Sequence, residues 1–209
     1  YFLNSFALVV PTTVLTIASS ALVAYGFARF EFPFKKQLFA LLLATLMLPN
    51  SVVIIPRYVL FNKFGWVDSY MPWWVPAILA CYPFFIYQLI QFMRSIPRDL
   101  DESAYIDGCS TFRVFWQILL PLMKSSLFSA GLFQFLWTYN DYFNSLIFIN
   151  SVKKYTVSLA LRLSVDAESV VVWGRVMAMA CVAVLPLVLL FFAAQKYFVE
   201  GIATSGLKG

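Results

Sequence analysis

The sequence predicts an all-α integral membrane fold with five membrane-spanning helices in a single domain, residues 1–209, and three observations lead there. Of 209 residues, 62% are hydrophobic and only 12% charged, about half the charged fraction of an ordinary soluble domain. The mean hydropathy is +0.81. The charges, moreover, sit between long apolar runs and hardly ever inside them. So few charges cannot cover a globule of this size with a water-soluble surface. The composition excludes a disordered chain, a fibrous repeat and a secreted disulfide scaffold, and it fits an ordinary soluble enzyme poorly. The net charge of +5 does not point to nucleic acid, because the 15 basic residues fill short gaps instead of one face of a polar domain. Cys81, Cys109 and Cys181 make no CxxC pair, and without any His they make no mixed zinc site, so they read as packing residues and no metal is expected.

The first expected span, residues 2–28, carries no charge and is longer than the roughly 7–15 apolar residues of a signal peptide. Ser20, Ala24 and Ala28 recur every four positions, a spacing that lets helix backbones approach in lipid. The other expected spans are 37–56, 70–93, 125–149 and 172–197. Each reaches the roughly 20 residues needed to cross the hydrocarbon core. Backbone groups in lipid must be satisfied within the segment, and none of these runs shows the alternation of a barrel strand. The spans are therefore helices. Pro11, Pro49, Pro56, Pro76, Pro83 and Pro186 lie in or near them, as static kinks or as hinges. Such prolines are tolerated where neighbouring groups satisfy the freed carbonyl.

Between the spans lie residues 29–36, 57–68, 94–124 and 150–175, followed by a tail from 196 to 209. Trp66, Trp73 and Trp74 mark an aromatic belt beside the second of these. If 29–36, 94–124 and the tail share one side, that side holds nine of the 15 basic residues. The positive-inside rule then puts it in the cytoplasm.

The segment 94–124 is the longest polar one. Pro97 discourages helix at Ile96. Asp99 is expected to cap a new helix, with Glu102 three residues on completing a capping box. Asp107-Gly108 supplies a turn. Ser110 or Thr111 can cap a second helix, on which Phe112, Phe115, Trp116 and Leu119 form one apolar stripe. The result is a helix-turn-helix at the membrane surface whose acidic first helix points away, a docking element for a partner.

Glu102-Ser103-Ala104, three residues, Gly108, nine residues, then Ile118, Leu120 and Pro121 resemble the EAA loop of ABC importer permeases. Ser103 stands where that pattern has Ala. The segment 95–121, Asn4-Ser5, ARFEFP at 28–33 and YFVEG at 197–201 resemble the carbohydrate branch of maltose-permease type, so the likeness runs through the whole chain. The resemblance implies a permease subunit of a bacterial or archaeal cytoplasmic-membrane importer. Its expected partners are a second permease subunit in a heterodimer, two ATPase subunits, an extracytoplasmic solute-binding protein, a sugar substrate and membrane lipid. By the same resemblance Glu102, Ser103, Ala104, Asp107, Gly108, Ile118, Leu120 and Pro121 couple the chain to the ATPase. Permeases of this branch have six spans, so one further amino-terminal span is expected.

Asp141 interrupts the fourth span within WTYNDYF, where an ionised carboxylate is costly unless it faces protein or water. Two readings stand. Trp137, Tyr139, Asn140 and Asp141 line a pathway, or Asp141 makes an ion pair or helix contact near the outer interface. Gln88 and Gln91 are similarly open. The glycine-rich tail 201–208 misses a phosphate loop, since Lys208 does not directly follow Gly206. No ATP or other cofactor, no catalytic residue and no enzyme activity is expected of this chain. The rival function, an ion-coupled secondary transporter or channel subunit, requires charged groups near the midplane and an internal repeat, and only Asp141 answers to that.

Overall fold

The computed structural model describes residues 1–166 and 173–206, with side chains described for 1–165 and 173–192. Helices α1 (Phe2–Arg29), α4 (Met71–Ile78), α5 (Pro83–Ser95) and α9 (Lys124–Tyr139) form the centre of the bundle. Helix α1 packs against the other three. Its buried face runs through Ser5, Leu8, Thr12, Thr16, Ser20, Ala24 and Ala28, mostly small residues that bring neighbouring backbones close. Thr12 donates its hydroxyl to Leu8 O at 2.6 Å, so this buried polar group is satisfied inside its own helix.

Among the described residues, three helical stretches are long and apolar enough to cross a membrane, or up to five if each bent pair counts as one. The structure departs from the expected spans at their breaks. The run expected as one helix over 37–56 forms α2 (Lys35–Leu46) and α3 (Asn50–Lys63), inclined at 101°. The bend falls at Pro49, which lacks an N–H and disfavours helix at Leu48. Helix α3 then continues through Pro56 into residues expected as a loop. The guanidinium of Arg57 lies over the rings of Phe61 and Phe148, at 5.6 and 5.7 Å, which accommodates its charge on an aromatic surface.

The span expected over 70–93 corresponds to Met71–Ser95, one of the three long stretches, with a local break between α4 and α5 where Ala80 takes φ +55° and Pro83 opens the next helix. The span expected over 125–149 stops at Asn140 and resumes as α10 (Tyr142–Phe148), because Asp141 caps a new helix there. Helix α11 (Val157–Asp166) precedes α12 (Trp173–Gly206), which contains Pro186 and is helical through much of the tail expected as a loop. Residue 172, at the start of the fifth expected span, and residues 207–209, at the end of the glycine-rich tail, lie outside the described residues.

Two apolar clusters sit at opposite ends of α1. One gathers Leu8 with Ile54, Phe61, Trp73, Phe148 and Ile149. The other gathers Ala24 and Ala28 with Leu89, Met93, Phe115 and Leu119. Beside the first, Asp68 ties the turn after α3 to the segment after α10. Its carboxylate accepts from the Ser151 hydroxyl at 2.6 Å, the Ser151 N–H at 2.8 Å and the Asn150 N–H at 3.0 Å, and it pairs with Lys154 Nζ at 3.0 Å. Asn4 at the start of α1 donates to the carbonyls of Lys153 and Tyr155, at 2.7 and 3.0 Å, in the same cluster. The donors around Asp68, led by the Ser151 hydroxyl and N–H, hold its carboxyl well below the usual carboxylate range.

Candidate docking loop and pathway face

Helix α5 ends at Ile96, whose extended backbone (ψ 126°) precedes Pro97. Helix α6 (Asp99–Ile106) follows. Its N-cap residue is Arg98, with no side-chain cap bond, and Asp99, Asp101 and Glu102 all lie in the first turn. The expected capping box does not form. Instead the three carboxylates face the positive end of the helix dipole. Gly108 takes φ +78° after the helix, and the N–H of Cys109 returns to Ala104 O at 2.9 Å, a glycine-terminated helix end. Ser110 is the cap that forms on the second limb, accepting from the Arg113 N–H at 3.4 Å.

That second limb runs through α7 (Thr111–Arg113), a π-helical turn over Val114–Leu119, and α8 (Leu120–Leu122), which contains Pro121. The apolar stripe expected here divides. Phe115 and Leu119 are buried, whereas Phe112 and Trp116 are 67% and 61% exposed and stack on each other at 6.2 Å. The wider π turn accounts for this, since it breaks the 3.6-residue phase on which the stripe was counted. Phe112 and Trp116 line an open apolar groove between α1 and α9.

The loop presents two faces. Glu102, Ser103, Asp107 and Gly108 are exposed, as is Pro121, while Ile118 and Leu120 are half-buried. Ala104 is buried in the cluster at the end of α1. Asp101 shares that inner side and is buried too, contrary to the expectation that the acidic helix points away as a whole. Its Oδ2 lies 2.8 Å from Arg29 Nε, the two side chains retaining 11% and 6% exposure. Arg29 also donates through Nη1 and Nη2 to Ile96 O, at 3.2 and 3.1 Å. Arg98 returns the bond in the other direction, donating to Ala28 O at 3.3 Å. One turn earlier on α1, the Tyr25 hydroxyl donates to Thr111 O at 3.0 Å, and its ring stacks on Phe115 at 4.9 Å. Burial pushes the Asp101 carboxyl up, against the opposing pull of Arg29 and Arg98.

Sequence reasoning missed this buried pair. The available signal was spacing: Asp101 and Ala104 stand at i and i+3 and so share one helix face, and a small apolar Ala on that face points inward.

The residues singled out within the spans do not form one site. Asp141 Oδ1 accepts from the Asn144 N–H at 3.1 Å, its Oδ2 accepts from Asn144 Nδ2 at 2.9 Å, and Trp73 Nε1 lies 3.4 Å from Oδ2. Its carboxylate therefore holds a helix start. Tyr139 is buried and donates its hydroxyl to Ala183 O at 2.9 Å. Asn140 is exposed and donates to Leu136 O at 2.8 Å. Trp137 is exposed on one side and packs its ring against Phe84 and Phe85, at 4.9 and 5.3 Å. Gln88 is half-buried on α5, and its Oε1 is buried without a hydrogen-bond partner in the isolated chain. Phe84, Tyr87, Gln88 and Gln91 fall along one stripe of α5, none of them fully buried.

Fold and site together define a multi-pass, all-α membrane protein whose surface helix-turn-helix is fastened to the end of its first helix. The family described as "Binding-protein-dependent transport system inner membrane component" matches residues 16–204, and the chain belongs to it. The probable ABC transporter permease protein YurM of Bacillus subtilis is 35% identical over 209 residues, all of this chain and 69% of that protein. The trehalose/maltose transport system permease protein MalG of Thermococcus litoralis is 31% identical over all of this chain and 75% of its own length. The arabinooligosaccharides transport system permease protein AraQ of B. subtilis is 32% identical, again over all of this chain and 73% of its own length. Among solved structures, a bacterial ABC transporter involved in import of the acidic polysaccharide alginate matches with a TM-score of 0.79 at 20% identity, covering 94% of this chain and 75% of that one. That likeness establishes the shared fold.

Proposed function

We propose that this chain is one of two permease subunits of an ATP-driven importer for sugars or related solutes, and that its loop 94–124 receives the ATPase. The carrying observation is the division of the loop into an exposed face with Glu102, Ser103, Asp107 and Gly108 and an inner face held by Ala104, Asp101 and Arg29. A fixed inner face with an exposed acidic outer face suits docking into a basic cleft. The spacing from Glu102 to Pro121 supports the same reading, as do relatives named for trehalose/maltose and arabinooligosaccharide transport. The ATPase pair is then cytoplasmic, and so are the loop and the carboxyl tail. A binding protein delivers solute to the opposite side.

Of the in-span candidates, Gln88 and Trp137 are the ones we assign to the pathway. The unpartnered Gln88 Oε1 needs a donor from the second permease subunit, water or a sugar hydroxyl. Aromatic faces such as Trp137 suit sugar rings. The carboxylate of Asp141 is engaged as a helix cap, so it does not serve as the free midplane acid that an ion-coupled transporter would use.

Copurification from membranes tests the docking assignment. Glu102→Lys or Gly108→Trp leaves the permease pair inserted and assembled but releases the ATPase or abolishes sugar uptake, since a Cβ at Gly108 meets no atom within 4 Å inside the chain. Retention of the ATPase together with unchanged uptake in both variants overturns it.

A further inference from the structure

The loop meets the rest of the chain in two covalent joints, in apolar packing of Phe115 and Leu119 against α5, and in a polar grip on α1, and these differ in stiffness and direction. Its first joint, to α5, is the extended Ile96 followed by Pro97, which interrupts the helical hydrogen-bond ladder. Its second joint, to α9, is a bend of 76° at Met123. Neither joint continues a helix in a straight line. The grip is different. Tyr25 and Arg29 stand four residues apart, on one face of the last turn of α1. Arg29 holds the first limb through Asp101 and Ile96 O, and Tyr25 holds the second limb through Thr111 O and Phe115. Arg98 adds a reciprocal bond from the loop to Ala28 O. A buried ion pair, several hydrogen bonds and a stacked ring pair on one helical turn restrict the loop in more directions than either joint.

We infer that the last turn of α1 is the element through which movement of the loop reaches the bundle, with Tyr25, Arg29 and Asp101 as positioning residues that hold both limbs as one body with α1. This rests on the docking reading of the loop. When the bound ATPase shifts the loop, α1 moves with it, while Pro97 and the bend at Met123 absorb the relative motion of α5 and α9. Because α1 packs along α4, α5 and α9, its displacement is delivered to the helices beside the proposed pathway. The chemistry asked of these residues is mechanical.

The test is pulsed electron paramagnetic resonance on the intact importer, in a background lacking Cys81, Cys109 and Cys181. One nitroxide pair is placed at the exposed positions Ile106 and Leu22, loop to α1, and a second at Ile106 and Leu79, loop to the α4–α5 break. On trapping with ATP and vanadate, the Ile106–Leu79 distance shifts by about 2 Å or more, while Ile106–Leu22 stays narrow and constant. In Asp101→Asn, with the ATPase still bound and ATP still hydrolysed, Ile106–Leu22 shifts on trapping as well. If Asp101→Asn does not assemble, Tyr25→Phe, which deletes one hydroxyl and keeps the ring, decides by the same distance. A wild-type Ile106–Leu22 distance that changes as much as Ile106–Leu79 overturns the inference, and so does a constant one in whichever of the two variants is assembled. A static Ile106–Leu79 distance with the ATPase bound also overturns the inference, since the joints then absorb no motion, whereas failure of the ATPase to copurify with the wild type defeats the docking reading itself.

Discussion

The two ends of α1 each hold a carboxylate that joins distant parts of the chain, and the two behave in opposite ways. Asp68 joins the turn after α3 to residues 150–154 and stays partly open to solvent, surrounded by hydroxyl, backbone and ammonium donors. Asp101 joins the loop to α1 and is nearly closed off, with the Arg29 guanidinium in contact and Arg98 farther away. Many donors in contact with water draw the first acid below its ordinary range. Burial pushes the second above it, even beside a cation. A formal charge pair therefore says little about an acid's behaviour until its donors and its exposure are counted.

The largest expected effect breaks the buried end. Arg29→Ala leaves the Asp101 carboxylate without its guanidinium and costs about 3–5 kcal/mol, read as a lowered unfolding temperature of the purified complex. Replacing both partners together, Arg29→Met with Asp101→Leu, recovers most of that loss. Equal destabilisation in the double variant would contradict the description of Asp101 as a buried charge paired with Arg29.

A smaller effect, with a pH signature, separates the two ends. Asp68 has a lowered folded-state value, so its stabilisation is present above the ordinary carboxylate value of about 4 and is lost as pH falls through the folded one. Asp68→Asn accordingly costs up to about 1 kcal/mol near neutrality, solvent screening being strong there, and the difference from wild type shrinks under acid. Asp101 has the opposite sign: its raised value gives a contribution present below the ordinary value and lost as pH rises through the folded one. The gap between wild type and Asp101→Asn narrows with rising pH. Unfolding temperatures of the two variants between pH 3 and pH 8 check both slopes, and parallel slopes would remove the contrast.

A comparably small effect lies on the loop itself. Gly108→Ala places a Cβ at φ +78° in open space, so only backbone strain of about 1 kcal/mol is expected. A loss several times larger would mean that Gly108 is packed against something outside this chain.

Much of the architecture could be read from the sequence because lipid imposes a crude requirement, a run of about 20 apolar residues. The helix-turn-helix was legible for a local reason, since Pro97, Asp107-Gly108 and Ser110 act within a few residues of themselves. The breaks were less legible. Pro49 bends its segment by 101° while Pro56 lies inside an unbroken helix, and composition around each proline does not separate the two outcomes. Asp141 was visible as an anomaly, but its action as a cap depends on the Asn144 N–H and on Trp73, which is 68 positions away. Arg29 and Asp101 lie on different elements, and no local pattern pairs them. The π turn at Val114–Leu119 likewise leaves no periodic trace, because its effect is to interrupt the period.

The length of α1 has a geometric consequence for both ends. At 28 residues it spans about 42 Å, more than the roughly 30 Å of hydrocarbon, and it carries Asn4 and Ser5 at one extremity and Tyr25 and Arg29 at the other. These attachments must keep phase with each other around the helix axis. Deleting one residue from its middle shortens the rod by about 1.5 Å and turns one extremity by about 100° relative to the other. Asn4 could then face Lys153 and Tyr155, or Arg29 could face Asp101, but a regular helix could not satisfy both. The helix is thus a keyed shaft, and its angular setting is as much a part of the design as its reach.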